Sequence, residues 1–460
     1  MISNKFQLAE TICALATPAG VGAIGVLRVS GKDAISMVNS VFVGSNLNMA
    51  AGHTLHFGKI VDGTEIVDEV LASVFVEPKS YTGENTIEIS CHGSPYIQQR
   101  ILEVLVKAGA RLAQPGEFTL RAFLNKKLDL SQAEAVADLI ASNSEMSHKT
   151  AMNQMRGGFS KEISGLKEQL VNFASLIELE LDFSEEDVEF ASRPALRELV
   201  QKIFGLIQRL TETFKMGNAI KNGVPTVIAG RPNAGKSTLL NALVNEERAI
   251  VSAIAGTTRD TIEEAFVIEG VLFRLIDTAG IREHTSDIIE SIGIEKTHEK
   301  IRQASIVLYL FDAIETSLEQ LEKELSAFAQ MDMVLIPIGN KIDLGNAKEI
   351  HQKFSVRTDV IFISSKEQTG MEQLRARLKQ VINKDQINND VIITNVRHYQ
   401  ALMLAGESLQ QVLQSMEIGR SGELLAFDIR KSIHHLGEIV GDITTDDLLE
   451  NIFSKFCIGK

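Results

Sequence analysis

The sequence of 460 residues is poor in cysteine, in long apolar runs and in positive charge. Its three cysteines, Cys13, Cys91 and Cys457, lie far apart and form no C-x-x-C pair. This spacing fits a reducing compartment and argues against a disulfide framework or a structural zinc site. No apolar run reaches about 18 residues, and the N-terminus lacks a charged segment followed by an apolar core. We therefore expect a cytoplasmic protein that does not enter a membrane.

The shortage of positive charge limits the choice of partner. The chain carries 46 Lys and Arg against 60 Asp and Glu, a formal net charge of −14. A generally basic surface is excluded, so any nucleic acid has to be bound by a local patch. Hydrophobic residues make up 44% and charged residues 23%, as in a globular protein, and the length is enough for about three domains.

A phosphate-binding motif occupies residues 230–237, which read Gly-Arg-Pro-Asn-Ala-Gly-Lys-Ser. It follows the apolar run 227–229 and precedes a helix-like pattern at 238–243, so it has the strand, loop and helix order of a P-loop. Glycines let backbone N–H groups close around phosphates, and the N-terminus of a helix adds a positive dipole end. Lys236 can reach the terminal phosphates, and the Ser237 hydroxyl can bind Mg²⁺.

Further motifs follow in the order typical of GTPases. Asp277 ends a strand-like run and lies where a second carboxylate on the Mg²⁺ side is needed, and Thr258 supplies a hydroxyl for Mg²⁺ from the loop 256–260. Asp343, in Asn-Lys-Ile-Asp, can accept hydrogen bonds from N1–H and the 2-amino group of guanine, donors that adenine lacks. The segment 364–366, Ser-Ser-Lys, can close over the base. Together these motifs predict a GTPase domain of the Ras-like α/β fold.

The rest of the chain shows two kinds of secondary-structure pattern. Residues 1–125 show mixed strand and helix patterns, and we assign them to an N-terminal α+β domain. Long helices are expected at 163–181 and 194–216, the second ending near Gly217, and again at 397–416, 422–440 and 444–456. We also read 131–134, Ser-Gln-Ala-Glu, as a capping box that begins a helix. The sequence predicts a multidomain α/β protein in which the all-α domain has two parts, 126–222 and 384–460, around an inserted GTPase domain at 223–383.

Four motifs carry a family resemblance: Pro-Gly-Glu-Phe at 115–118, Arg-Ala-Phe-Leu-Asn at 121–125, the P-loop, and the terminal Cys-Ile-Gly-Lys. In this order they resemble the MnmE (TrmE) tRNA-modification GTPases, of the TrmE-Era-EngA-like P-loop class, over essentially the whole chain. The resemblance implies a homodimer with a tetrahydrofolate-binding and dimerising N-terminal domain and a K⁺-activated GTPase domain. It also implies a heterotetramer with the flavoprotein MnmG, which holds FAD and uses NADH.

The implied reaction modifies C5 of the wobble uridine of certain tRNAs. It adds a carboxymethylaminomethyl or aminomethyl group, using GTP hydrolysis and a one-carbon unit from 5-formyl- or 5,10-methylene-tetrahydrofolate. By resemblance, the folate contacts are Arg28, Glu88, Lys127 and Lys460. Cationic side chains suit the folate carboxylates, and a carboxylate suits pterin N–H donors. Cys457 is either a nucleophile or proton donor near the one-carbon unit or a docked, inert thiol. Because the apolar pattern reaches Ile458, we expect the tail to dock.

The position after Asp-x-x-Gly holds Ile281, which cannot orient a water molecule as the glutamine of Ras-type GTPases does. The resemblance assigns that role to Glu290, with Glu283 as the competitor and Arg282 as a possible arginine finger. Potassium is assigned to Asn233, Ser252, the Ile254 carbonyl and Thr257, and magnesium to Ser237 and Thr258. The predicted GTP-binding residues are Asn233, Ala234, Gly235, Lys236, Ser237, Thr238, Ser252, Ala253, Ile254, Ala255, Gly256, Thr257, Thr258, Asp277, Thr278, Ala279, Gly280, Asn340, Lys341, Asp343, Ser364, Ser365 and Lys366.

Two other classes of function compete with the tRNA-modifying enzyme. In a regulatory switch, the GTP state would control a protein partner without further chemistry, but the folate-type charges and the terminal cysteine argue against it. A ribosome-assembly GTPase would be expected to carry a basic RNA-binding appendage, which the net charge of −14 does not suggest.

Overall fold

The computed structural model describes residues 9–182, 192–246, 264–276, 304–328, 333–381 and 391–460. The chain forms two compact units, each built from separate stretches of sequence. The first contains residues 1–137, 154–204 and 404–460, and the second contains residues 138–153 and 205–403.

The first unit contains a seven-stranded sheet in the order β3-β4-β5-β6-β2-β1-β7. Neighbouring strands are antiparallel except for the parallel pair β1 and β7. Its strands are β1 (Ile12–Leu15), β2 (Ile24–Ser30), β3 (Phe42–Gly44), β4 (Thr54–Asp62), β5 (Glu65–Phe75), β6 (Thr86–His92) and β7 (Arg111–Leu112). Its helices include α1 (Ala34–Val41), α2 (Pro95–Lys107) and α3 (Glu117–Leu124).

Side chains along β2 and β6 point alternately to the buried and to the opposite face of the sheet. Leu27 and Val29 of β2 are fully buried together with Ile87 and Ile89 of β6, in the core that α1 and α2 complete. Because successive side chains of a strand point to opposite faces, Arg28 lies on the other face, directly across from Glu88 in the strand register. A fully apolar core face therefore leaves a charged pair on the opposite face of the sheet.

The long helices are α4 (Leu130–Ala141), α5 (Glu145–Met155), α6 (Gly158–Asp182), α7 (Arg193–Glu212), α13 (Val396–Glu417), α14 (Gly422–Val440) and α15 (Asp446–Phe453). The predicted helix at 422–440 is confirmed at both ends. In the first unit α14 packs along α6, where a Cβ at Gly422 would lie 3.3 Å from Leu181 and Arg430 pairs with Glu178 at 3.2 Å.

Several predicted helix ends are wrong. The helix expected at 163–181 begins at Gly158, and the one expected at 444–456 covers only Asp446–Phe453. Two further differences have an identifiable cause. α4 is capped by Asp129, whose carboxylate accepts from Gln132 N at 2.9 Å while the Gln132 side chain accepts from Asp129 N at 3.0 Å. Ser131 is buried inside the helix. The predicted helix 194–216 breaks at Thr213, whose hydroxyl accepts from Ile393 N at 3.0 Å. Gly217 lies within the next helix, α8 (Phe214–Asn222), where a Cβ would meet Ile392 at 2.8 Å.

The second unit contains a six-stranded sheet in the order β13-β12-β11-β8-β10-β9, parallel except for β9. Its strands are β8 (Val224–Gly230), β9 (Ala265–Ile268), β10 (Val271–Leu275), β11 (Ile306–Asp312), β12 (Val334–Asn340) and β13 (Ile361–Phe362). The remaining helices are α9 (Lys236–Glu246), α10 (Leu318–Ser326), α11 (Ala347–Lys353) and α12 (Met371–Val381).

Helices cover both faces of this sheet, as the apolar central strand β11 requires. Leu308 and Leu310 join the core that includes side chains of α9 and α12. Tyr309 and Phe311 join a second core with side chains of α10 and α11. Ligands of open parallel sheets bind outside the carboxyl ends of the strands, and the loops after β8, β11, β12 and β13 all leave the sheet at that end.

Candidate functional site

The loop between β8 and α9 has a backbone that suits phosphate binding. Gly230, Asn233 and Gly235 have φ values of +138°, +61° and +98°. At Gly230 a Cβ would overlap the Leu310 carbonyl group of the neighbouring strand β11, so only glycine fits where the loop leaves the sheet. The predicted order of strand, glycine loop and helix is confirmed.

Lys236, the first residue of α9, points its amine back across this loop. Nζ donates to the carbonyl oxygens of Gly230 and Arg231, both at 2.8 Å. Burial lowers the pKa of the Lys236 ammonium from its ordinary value. Ser237 follows in the first turn of the helix. The lysine is thus held inside the loop that is expected to surround the phosphates.

Asn340, the last residue of β12, joins three of the predicted segments. Its Nδ2 donates to Ala234 O of the phosphate loop at 2.8 Å. Its Oδ1 accepts from Ser365 N at 2.9 Å and from Ser365 Oγ at 3.0 Å. Asn340 is 3% exposed, so its amide bonds to these loops and not to solvent. In the structure Asn340 connects the phosphate loop to the predicted base-covering loop.

Lys341 adopts a left-handed conformation, with φ of +66°, and this turn presents Asp343 to solvent. Lys341 Nζ pairs with Asp312 Oδ2 at 2.8 Å. Burial alone would raise the pKa of the Asp312 carboxyl, but hydrogen bonds from Lys341 and from two backbone N–H groups hold it below the ordinary value. Asp312 ends β11 and was missed by the sequence reasoning, although a carboxylate at a strand end of a parallel sheet is a recognisable signal.

The segment after β13 is a tight turn. Ser364 is fully buried, its N–H donates to Thr369 O at 3.0 Å, and its hydroxyl accepts from Glu367 N at 3.1 Å. The Lys366 side chain is 79% exposed. A buried serine therefore holds the turn, while the exposed Lys366, two residues further on, pairs with Glu367 at 3.8 Å.

Several predicted site residues lie outside the described part of the chain. They belong to the stretches 247–263 and 277–303. These residues are Ser252, Ala253, Ile254, Ala255, Gly256, Thr257, Thr258, Asp277, Thr278, Ala279, Gly280, Ile281, Arg282, Glu283 and Glu290.

In the first unit, the Arg28 guanidinium is enclosed by three different kinds of contact. Nε and Nη2 donate to Glu88 Oε1 at 2.9 and 2.8 Å. The guanidinium carbon lies 5.1 Å from the Tyr81 ring centroid and 5.5 Å from that of Phe118, within the range of cation–π attraction. Nη1 is 3.5 Å from Gly459 O. Tyr81 and Phe118, which the sequence reasoning missed, shape this site.

The C-terminal tail docks in the first unit, as expected, although the last of its predicted apolar anchors is exposed. Phe453 and Phe456 are buried, and the Cys457 carbonyl accepts from Gly116 N at 3.4 Å. Gly459, with φ of +94°, is buried so tightly that a Cβ would overlap the Leu15 carbonyl of β1. Ile458, taken as an anchor, is 61% exposed. Close backbone packing at Gly459 replaces the expected apolar contact.

Three of the four predicted folate residues come together at this tail. Burial lowers the pKa of the Lys460 ammonium, and nearby Arg28 lowers it further, while Glu88 and Cys457 act in the opposite direction. Lys127 contacts instead the loop 78–85, where its Nζ donates to Pro78 O at 3.0 Å. The Cys457 side chain is exposed. The structure therefore gathers Arg28, Glu88 and Lys460 with the terminal thiol nearby.

A second buried network supports the loop 78–85. Arg121 is 1% exposed and pairs with Glu84 at 3.1 Å and with Glu117 at 3.0 Å. Burial would raise the pKa of the Glu117 carboxyl, but hydrogen bonds from Arg111 and Gln114 N, with help from Arg121, lower it overall. The network fixes Thr82 and Ser30 through Glu84, and so holds the loop that carries Tyr81.

Along the described stretches, no helix combines the length and the apolar character needed to cross a membrane. The largely parallel sheet, the lysine-bearing phosphate loop and the Asn-Lys-x-Asp turn identify a P-loop GTPase domain within the second unit. A model of the MnmE helical domain matches residues 130–457, and a model of the GTP-binding protein TrmE N-terminus matches residues 11–127.

Full-length relatives carry one name, tRNA modification GTPase MnmE. The protein of Cytophaga hutchinsonii is 54% identical and covers 98% of both chains. That of Christiangramia forsetii is 53% identical over 99% of this chain and 100% of its own, and that of Flavobacterium johnsoniae is 54% identical over 98% and 99%. The chain belongs to the MnmE family of tRNA modification GTPases.

Proposed function

We propose that the protein hydrolyses GTP in a K⁺-dependent manner and, as a homodimer with the flavoprotein MnmG, modifies C5 of the wobble uridine of certain tRNAs. The observation that carries this proposal is the coexistence of two built sites in one chain. One is the guanine and phosphate site joined by Asn340, and the other is the docked tail that brings Lys460 to Arg28 and Glu88. A GTP switch alone gives no reason for the second site.

In the nucleotide site the described residues divide the work. Asp343 accepts from N1–H and the 2-amino group of guanine, which excludes adenine. The turn at Ser364 and Ser365 covers the base, and the Lys236 amine holds the terminal phosphates. Asn340 fixes the phosphate loop relative to the base-covering turn, because its amide bonds to both Ala234 and Ser365. These residues bind and orient GTP; we assign the water-orienting role to Glu290.

The described metal ligands fit the ions that the family implies. Ser237 offers a hydroxyl at the first turn of α9, and the exposed Asn233 offers an amide oxygen from a left-handed position of the loop. Oxygen donors of this kind suit Mg²⁺ and K⁺. When bound, the two cations supply positive charge beside the phosphates. We propose Ser237 and Thr258 for magnesium, and Asn233, Ser252, Ile254 and Thr257 for potassium.

We place tetrahydrofolate at the docked tail. Arg28, Glu88 and Lys460 offer two cations and one carboxylate beside the Tyr81 and Phe118 rings, a set that suits the charged and aromatic parts of a folate. We keep Lys127 as a fourth contact, because it bonds to Pro78 of the loop that carries Tyr81. Cys457 is either a reacting thiol near the one-carbon unit or a docked thiol without chemistry.

The proposal is tested by nucleoside analysis of bulk tRNA from a deletion strain. We expect the modified wobble uridine to disappear and to return when the wild-type chain is supplied. The Asp343→Asn chain should restore little of the modified uridine, which would show that the modification requires GTP binding. Intact modification in the deletion strain would overturn the proposed reaction while leaving GTP hydrolysis to be measured on the purified protein.

A further inference from the structure

The second residue of the phosphate loop, Arg231, is bound to an element outside the loop. Its Nε and Nη2 both contact Oε1 of Glu324 on α10, 93 positions further along the chain. The other oxygen of that carboxylate, Oε2, accepts a hydrogen bond from Tyr309 Oη of β11 at 2.5 Å. The two oxygens of Glu324 are therefore divided between the loop and the sheet.

Glu324 is presented by a rigid support. The helix α10 begins with a full capping box between Ser317 and Gln320, and its Leu321 and Leu325 are buried in the core. Tyr309 is 6% exposed, and its ring meets Phe328 edge-on at 5.6 Å. Side chains held by packing and caps keep their geometry when a ligand arrives. The carboxylate is thus a fixed point for the more exposed arginine.

Arg231 matters because its backbone holds the catalytic-site lysine. Its carbonyl is one of the two acceptors of Lys236 Nζ, at 2.8 Å. The far half of the loop is held separately, through the bond from Asn340 to Ala234 O. The near half extends into solvent from Gly230, and Arg231 supplies its side-chain contact to Glu324. The position of the lysine amine therefore depends on where Arg231 is held.

We propose that Glu324 and Tyr309 position Arg231, and through its carbonyl the Lys236 amine, so that the phosphate loop is preorganised for a nucleotide diphosphate or triphosphate. Arg231 is then a positioning residue, because its guanidinium is directed to α10 and its charge is already paired. The inference rests on the GTP binding proposed above. It adds a specific contact, outside the loop motif, that sets the affinity for the phosphates.

The test is a double-mutant cycle on the full chain with Arg231→Ala, Glu324→Gln and the double variant. The readouts are the Kd for a fluorescent GDP, the KM and kcat for GTP, and the thermal midpoint. Each single variant should weaken GDP binding about fivefold, the size expected for a partly exposed ion pair. The double variant should bind no more weakly than the single ones, because both act through one contact. KM should rise while the thermal midpoint stays unchanged.

Glu322→Gln is the matched control, since Glu322 is exposed on the same helix two positions away. Tyr309→Phe, which keeps the packing and removes only the hydroxyl, should give a smaller rise in Kd than Glu324→Gln. Equal Kd values for Glu324→Gln and Glu322→Gln would overturn the inference, as would independent, multiplicative losses in the double variant. Failure of the wild-type chain to bind GDP would instead contradict the proposed function, so the two failures are distinguishable.

Discussion

The nucleotide site and the tail site are built in opposite ways. The nucleotide site takes its residues from loops that follow successive strands of one parallel sheet, and its joining bonds span 106 and 25 positions. The tail site brings Arg28 to Gly459, 431 positions apart, across two strands and the last turn of the chain. The first site is a property of one fold and its motifs. The second exists only when the C-terminus has docked.

Both sites depend on glycine where two parts of the chain approach closely. In the phosphate loop, Gly230 and Gly235 have positive φ values, and a Cβ would overlap the Leu310 carbonyl at the first and the Asn340 amide at the second. At the tail, Gly459 closes the backbone against Leu15, and Gly116 does the same against Phe453. Glycine therefore makes room for the chain itself at both sites. Because the tail site exists only when the C-terminus has docked, losses there should be all-or-none, whereas losses at the nucleotide site, where separate side chains contribute, should be graded.

The largest expected effect is at the tail. Removing Ile458–Lys460 deletes the docked glycine and the lysine, but it leaves the GTPase unit untouched. We expect loss of tRNA modification and weak binding of 5-formyltetrahydrofolate, with GTP turnover close to normal. Modification at the normal rate would show that the tail has no function.

Two point variants test whether the tail site needs the close packing of the tail or only the presence of its last residues. Ile458→Ala changes a side chain that is 61% exposed and should be silent. Gly459→Ala forces a Cβ into the Leu15 carbonyl and should reproduce the truncation. Equal tRNA modification and equal folate binding in the two variants would show that the close packing at Gly459 is not needed.

The next largest effect concerns potassium. We expect GTP hydrolysis to be about 100-fold faster in K⁺ than in matched Na⁺, the size typical of one well-placed charge or donor at a reacting phosphate. Asn233→Ala should lose most of this stimulation while it keeps GTP binding, because its amide is exposed in the loop and does not hold the fold. Equal turnover in the two salts would defeat the cation mechanism.

Glu290→Ala supplies the companion measurement. It should abolish hydrolysis and preserve K⁺-dependent dimerisation with a transition-state mimic. Full activity in this variant would transfer the water-orienting role to Glu283.

Asp343→Asn should give a graded loss at the nucleotide site. Removing the carboxylate acceptor costs about 1.5–3 kcal/mol, or roughly 10- to 100-fold in GTP affinity. Preference should move toward xanthine nucleotide, whose 2-oxo group accepts a hydrogen bond from the new amide. Titrations with both nucleotides measure the change, and an unaltered GTP affinity would contradict the assignment.

The last comparison distinguishes the three thiols by pH and changes no function of the protein. Burial raises the pKa of Cys13 and of Cys91 to about 11, so at pH 8 roughly one part in a thousand of each is the reactive thiolate. Cys457 is exposed and should be the single fast-reacting thiol of the folded chain. Labelling should speed up at the other two only as the pH approaches 11, or at once in denaturant.

Two controls complete the labelling experiment. Cys457→Ser should leave no fast thiol, and 5-formyltetrahydrofolate should slow the labelling of Cys457 if folate binds at the tail. Two or three fast thiols in the folded chain at pH 8 would contradict the burial of Cys13 and Cys91.

Sequence reasoning was most accurate where chemistry is local. The P-loop, the Asn-Lys-x-Asp turn and the helix at 422–440 follow from spacing alone, since each is decided within a few turns or one strand end. It failed at the ends of several other helices. Asp129 and Ser131 are both good caps, and only the burial of Ser131 decides between them. Thr213 ends α7 because it bonds to Ile393, 180 positions away.

The sequence by itself determined the GTPase motifs, predicted the guanine preference and, through the family resemblance, predicted a common site for residues 28, 88 and 460. Only the tertiary structure decided that Asn340 joins two loops, that Asp312 holds Lys341, and that the tail docks through Gly459 and not Ile458. The physical reason is that spacing encodes which groups a strand end or a helix turn presents. Spacing does not encode which atoms from distant parts of the chain come close to a given residue. Those long-range contacts decide where a glycine, a buried amide or an ion-pair partner is required.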